Sequence, residues 1–127
     1  MNEITRLRIK KMSPQLLVSD ILRSIEFYKS KLGFELEFFY KDFYAGIVKN
    51  ECSIHLKSGN PLIDERKNKR ENNDLDIIFS VSDVTRLYEE FLNKSMEFVQ
   101  PLCEQPYGKE FYIVDPDGYI LAFLENN

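Results

Sequence analysis

The chain has 127 residues, 43% of them hydrophobic, and a formal net charge of −4, enough for one compact core and too little for two full-sized domains. Its longest apolar run, residues 75–81, is broken by Asp76 and falls well short of the roughly 20 residues of a membrane span, and its basic residues are dispersed, which argues against a nucleic-acid partner. Arg6, Arg8, Lys10 and Lys11 are not followed by an apolar leader, and Cys52 and Cys103 are too few and too far apart for a disulfide framework, so a cytoplasmic protein with reduced thiols is expected.

Residues 1–12 are expected to form an N-terminal extension. A strand over residues 15–19 then ends in Val18-Ser19-Asp20, where Asp20 is placed to cap a helix start. Ile21, Ile25, Tyr28 and Leu32 recur at helical spacing, and Gly33 follows as the stop. Period-two alternation starts next: Phe34, Leu36, Phe38 and Tyr40 lie on one face, with Glu35, Glu37, Phe39 and Lys41 on the other. Glu35 and Glu37 read as a solvated strand face rather than a catalytic pair. Further strands are expected over residues 43–48 and 52–57, joined by a tight turn at Lys49-Asn50-Glu51.

Residues 64–74 alternate both signs of charge without one apolar side chain, the composition of a solvated connector. A strand over residues 75–81 precedes a second helix, with Val84, Leu87, Tyr88 and Phe91 inward and its end near Asn93 or Lys94. Strands are expected over residues 96–99, 110–114 and 119–124. The last two are joined by Asp115-Pro116-Asp117-Gly118, in which proline presets φ and glycine tolerates positive φ.

Val18-Ser19-Asp20 recurs as Val81-Ser82-Asp83, and Arg23, Glu26 and Lys31 recur at the same offset as Arg86, Glu89 and Lys94. This internal repeat predicts an α+β fold of two tandem βαβββ modules, residues 13–63 and 75–127, within one structural domain and with eight strands and two helices in all. Helices on one face of each sheet leave the other faces to enclose something, and a cleft between curved sheets is the expected binding place.

Leu17-Val-Ser-Asp20, Ser24-Ile-Glu-Phe-Tyr28, Leu32-Gly-Phe34, Ile54-His-Leu56 and the run Tyr107-Gly-Lys-Glu-Phe-Tyr-Ile-Val-Asp-Pro-Asp-Gly118 stand in an order and spacing that resembles the vicinal-oxygen-chelate superfamily. That group contains glyoxalase, ring-cleaving dioxygenases, fosfomycin-modifying enzymes and bleomycin-resistance proteins, and the resemblance spans residues 13–125. Its bleomycin-resistance branch looks most similar. The resemblance implies metal-ligand positions at Ser13, His55, Asp76 and Ala122. Two potential ligands among four do not suit a catalytic divalent metal, so the expectation is a protein without cofactor or catalytic residue that binds a small, aromatic or cationic molecule, as a homodimer. The alternative is a divalent-metal-dependent lyase or dioxygenase of the same superfamily, with ligands placed elsewhere. A module without any ligand, its cleft filled by its own aromatics, is a third.

The expected ligand contacts are His55, Asp76, Tyr107, Phe38, Tyr40 and Phe111. His55 is the only histidine and shares a polar strand face with Ser53 and Lys57; a hydrogen-bonded structural role is the competing reading. A carboxylate at Asp76 interrupts an apolar strand and must be paired, hydrated or cleft-facing. Phe38, Tyr40, Phe43, Tyr44, Tyr107, Phe111 and Tyr112 form an aromatic excess, mostly core, whose cleft-side members are suited to stacking on a planar ligand.

Overall fold

A computed structural model of the chain describes residues 8–127. The chain divides into two compact units, one ending at Gly59 and the other spanning residues 60–127. Residues 1–7 of the expected N-terminal extension lie outside the described residues.

The first unit holds β1 (Gln15–Val18), α1 (Ile21–Ser30), β2 (Glu35–Tyr40), β3 (Tyr44–Lys49) and β4 (Cys52–Ser58). Its sheet has the order β1-β4-β3-β2, with β1 parallel to β4 and the other pairs antiparallel. Asp20 caps α1, its carboxylate accepting from the Arg23 amide at 3.1 Å, which satisfies one of the donors that a helix start leaves free. Ile21, Ile25 and Tyr28 of α1 are buried with Leu16, Val18, Ala45, Ile47, Ile54 and Leu56 of the sheet. The period-two and helical spacings therefore meet in one core, mostly aliphatic, with Tyr28 packed edge-on against Phe34.

Phe34, Leu36, Phe38 and Tyr40 do not share a face, because a register shift between Leu36 and Phe38 pairs Leu36 with Ile47 but Phe38 with Gly46. The extra residue of this bulge turns Phe38 and Tyr40 away from the helix side.

The second unit holds α2 (Ile63–Asn72), β5 (Ile77–Ser80), α3 (Val84–Leu92), β6 (Glu97–Gln105), β7 (Gly108–Val114) and β8 (Ile120–Asn126). Its sheet repeats the same order as β5-β8-β7-β6, and Asp83 caps α3 through the Arg86 amide at 3.2 Å. Against α3 stands a stack of rings, since Phe111 packs on Phe123 at 5.2 Å and both meet Phe91 edge-on. In the turn into β8 the Asp115 carboxylate accepts from the amides of Asp117 and Tyr119, both at 2.9 Å. Each unit is thus one βαβββ module of an α+β fold.

The stretch expected to be a connector is a helix, so the described residues contain three helices rather than two. No residue of α2 is buried, and the absence of an apolar stripe is what hid it. Polar anchors hold it instead: Arg66 and Lys69 reach Asp76, and Arg70 reaches Glu97 at 2.6 Å. Among the described residues no helix is long and apolar enough to cross a membrane.

Candidate functional site

The face of the first sheet turned away from α1 carries an aromatic patch. Strand pairing sets Phe38 beside Gly46, Tyr40 beside Tyr44, and Gly46 beside His55. Position 46 has to be glycine for this arrangement, because a Cβ there would sit 2.2 Å from a carbon of the Phe38 ring. Phe38 thereby lies flat across β3, stacked on Tyr44 at 6.1 Å and 10° and edge-on to His55 at 5.3 Å. Such ring pairs contribute about 1 kcal/mol beyond the area they bury.

His55 is fixed by hydrogen bonding. Its Nδ1 lies 2.9 Å from the Tyr44 hydroxyl, which accepts from Gln15 Nε2 at 3.1 Å. Phe38 and Tyr40 are 36% and 55% exposed. Three of the residues selected from the sequence, His55, Phe38 and Tyr40, thus share one face, while Gln15 and Tyr44, which hold the imidazole, were not selected. Strand register sets Gln15 opposite His55 and Tyr44 opposite Lys57, two residues further along β4, and one chain's spacing does not display register.

In the second unit the selected residues separate. Asp76 precedes β5 with its side chain 8% exposed, and both oxygens are engaged: Oδ2 by Arg66 at 2.7 Å and the Ile120 amide at 2.8 Å, Oδ1 by Lys69 at 2.8 Å. Desolvation acts to raise its pKa, yet the hydrogen bonds from Arg66, Lys69 and the Ile120 amide outweigh it and hold the carboxyl below its ordinary value. The Arg66 guanidinium also stands over the Tyr119 ring at 4.4 Å. Asp76 therefore ties α2 to the sheet, with its charge balanced by Arg66 and Lys69. Phe111 is fully buried in the ring stack under α3, because its pairing with Phe123 places it on the helix side, and a ligand on the opposite face does not meet it.

Tyr107 is 47% exposed just before β7 and donates to Glu110 Oε1 at 2.7 Å. Tyr112 donates to Glu110 Oε2. Glu110, only 4% exposed, was not selected from the sequence. The signal that pointed to Asp76, a carboxylate interrupting an apolar run, is missing there, because Lys109 precedes Glu110 and the apolar run begins only at Phe111. Hydrogen bonding to Glu110 raises the pKa of Tyr107, and desolvation followed by the same carboxylate raises that of Tyr112, so both phenols stay protonated donors. Gly108 between them has φ +151, and a Cβ there would meet the Glu125 carbonyl oxygen at 2.1 Å. Only glycine fits so close a backbone approach.

The donors at the four metal-ligand positions do not fit a divalent ion. Ser13 spends its hydroxyl on Ser53 at 2.9 Å, Asp76 is neutralised by two cations, and Ala122 has no donor atom. Within either unit, no group of three or more His, Cys, Asp or Glu side chains gathers among the described residues. His55 alone makes no catalytic metal centre.

Comparison with known proteins agrees with this architecture. A family model described as the Glyoxalase/Bleomycin resistance protein/Dioxygenase superfamily matches residues 8–123. Bleomycin resistance proteins of Geobacillus stearothermophilus and Staphylococcus aureus are each 28% identical, with 88% of this chain and 93% of theirs aligned. Among solved structures, an antibiotic binding protein from a Streptomyces species superposes with a TM-score of 0.72 at 16% identity, over 94% of this chain and 98% of that one. A bleomycin-binding protein from Streptomyces verticillus, complexed with copper(II)-bleomycin, gives 0.69 at 21% identity, over 95% and 99%. With the family model matched over nearly its whole length, the chain belongs to the glyoxalase/bleomycin resistance protein/dioxygenase superfamily.

Proposed function

We propose that this protein captures an aromatic or cationic small molecule on the sheet faces turned away from its helices, holds it without a metal and releases it unchanged. The observation that carries this reading is the patch of Phe38, Tyr40, Tyr44 and His55, built at the cost of a glycine in mid-strand and left partly exposed. Rigid rings of this kind offer large contact area for little lost entropy. The names of the relatives, bleomycin resistance protein and antibiotic binding protein, support a ligand of that class. A lyase or dioxygenase reading needs a donor set that Asp76 and Ala122 do not supply. We further propose a cytoplasmic homodimer, for which sedimentation should return twice the 15.0 kDa of one chain.

The test is a titration with metal-free bleomycin. The chain contains seven tyrosines and no tryptophan, so its intrinsic fluorescence is that of tyrosine, to which Tyr40 and Tyr44 of the aromatic face contribute. Saturable binding, with the compound recovered intact and affinity reduced about tenfold in Phe38→Ala, supports the proposal. Absence of saturation, or a chemically altered product, overturns it.

A further inference from the structure

The second unit buries three carboxylates, and two of them are fully accounted for. Asp76 faces Arg66 and Lys69, and Asp115 receives two amides of its own turn. Glu110 is different. It is 4% exposed, its two hydrogen bonds come from the neutral phenols of Tyr107 and Tyr112, and no lysine or arginine pairs with it among the described residues. Lys109 is next in sequence but alternates to the other face of β7. A carboxylate accepts about four hydrogen bonds, and two neutral donors do not cancel its charge. A buried charge left in that condition is costly, and a cation is what relieves it.

The surroundings suit such a cation. Strand pairing puts Glu110 beside Cys103 and Leu124, on the face that also carries Tyr112 and Ala122 and is turned away from the Phe111 stack. Tyr112, Ile120 and Ala122 form an apolar cluster on that face, and Tyr107, nearly half exposed, forms its lip. A carboxylate between two phenol rings over an apolar floor matches an organic cation: the charge pairs with the carboxylate while its methyl or methylene groups lie against the rings.

We infer that Glu110, framed by Tyr107 and Tyr112, is a subsite for the positively charged nitrogen of the ligand, an alkylammonium or amidinium group. This rests on the small-molecule reading given above and selects the cationic class within it. Glu110 anchors the charge. Tyr107 and Tyr112 hold the carboxylate in place through their hydroxyls.

The experiment compares benzyltrimethylammonium with benzyl alcohol, which keeps the ring and lacks the charge, by calorimetric or NMR titration of the full chain. The wild type should bind the cation at least about tenfold more tightly than the alcohol, and E110Q, which keeps size and an acceptor for the phenols, should lose that preference while its benzyl alcohol affinity stays unchanged. Undiminished cation binding by E110Q overturns the subsite but leaves the small-molecule reading intact. Failure of both probes and of bleomycin overturns both. Should E110Q fail to fold, the 13C carboxyl resonance of Glu110 in the wild type decides: a shift on titration with the ammonium probe supports the subsite, and an unmoved resonance at saturation overturns it.

Discussion

The two units share a strand order and a capped helix, yet they distribute their rings differently. In the first, the core is mostly aliphatic, Ile47, Ile54 and Leu56 being joined by the ring pair Tyr28 and Phe34, and the rings of Phe38, Tyr40 and Tyr44 stand on the other face. In the second, Phe91, Phe111 and Phe123 occupy the helix side, while the other face carries a buried glutamate between two phenols. One βαβββ template therefore tolerates either packing, and the faces turned away from the helices are where the halves differ in chemistry. An aromatic under a helix and an aromatic on a free face have the same composition and different meanings.

The largest effect expected from that contrast is at Phe111. Removing a fully buried ring leaves a cavity as well as losing transfer energy, so Phe111→Ala should cost about 3–5 kcal/mol in urea unfolding. Phe38→Ala, on the partly exposed face, should cost about 1 kcal/mol or less and affect ligand binding instead. Similar unfolding costs for the two would abolish the distinction between the faces.

Next in size is the polar anchor of α2. Asp76→Ala leaves Arg66 and Lys69 facing each other without their common partner, and should destabilise the second unit by about 3 kcal/mol. The pH dependence has a definite sign. The folded carboxyl titrates below the ordinary carboxylate value, so its stabilisation is complete above that ordinary value and is lost as the pH falls through the lower folded pKa. Wild-type stability should fall on acidification through this window, and Asp76→Asn should show a smaller fall. Parallel acid-unfolding curves for the two proteins would detach Asp76 from the acid response.

These sites also show what one sequence displays and what it conceals. The repeated Val-Ser-Asp tripeptides, the helical spacing after each and the Asp-Pro-Asp-Gly turn are local signals with local causes, and both modules were legible from them. Helix α2 was not, because residues 63–72 offer no apolar periodicity and its anchors, Asp76 and Glu97, come from beyond it in the chain. The split of Leu36 from Phe38 depends on a bulge, and the choice between Phe111 and Tyr112 for the helix side depends on register in a strand buried from Glu110 to Val114. A run buried on both faces carries no alternation from which to choose. Glu110 was concealed for a different reason: with Lys109 before it and the apolar run only after it, it reads as the polar start of a strand.

A smaller effect is expected at Gly46. Alanine there would press on the Phe38 ring at 2.2 Å, and because that ring is partly exposed it can swing aside. Gly46→Ala should therefore cost only about 1–2 kcal/mol while weakening bleomycin binding as much as Phe38→Ala does. A variant that binds normally would show that the stack on Tyr44 and His55 is not needed for recognition.

The finest comparison is between the two helix caps. Asp20→Ala should destabilise by about 1 kcal/mol, the usual loss of an N-cap acceptor. Asp83→Ala removes the same bond from α3, but there the Glu125 carboxylate also accepts from the Val84 amide at 3.1 Å, one position into the helix. A negative charge held at the helix start continues to favour the N-terminal dipole after Asp83 is gone. Asp83→Ala should thus cost less than Asp20→Ala by a few tenths of a kcal/mol, and Glu125→Gln should remove the difference, since the amide oxygen still accepts the bond but no longer carries the charge. If the gap instead survives Glu125→Gln, the compensation lies in the hydrogen bond rather than in the charge.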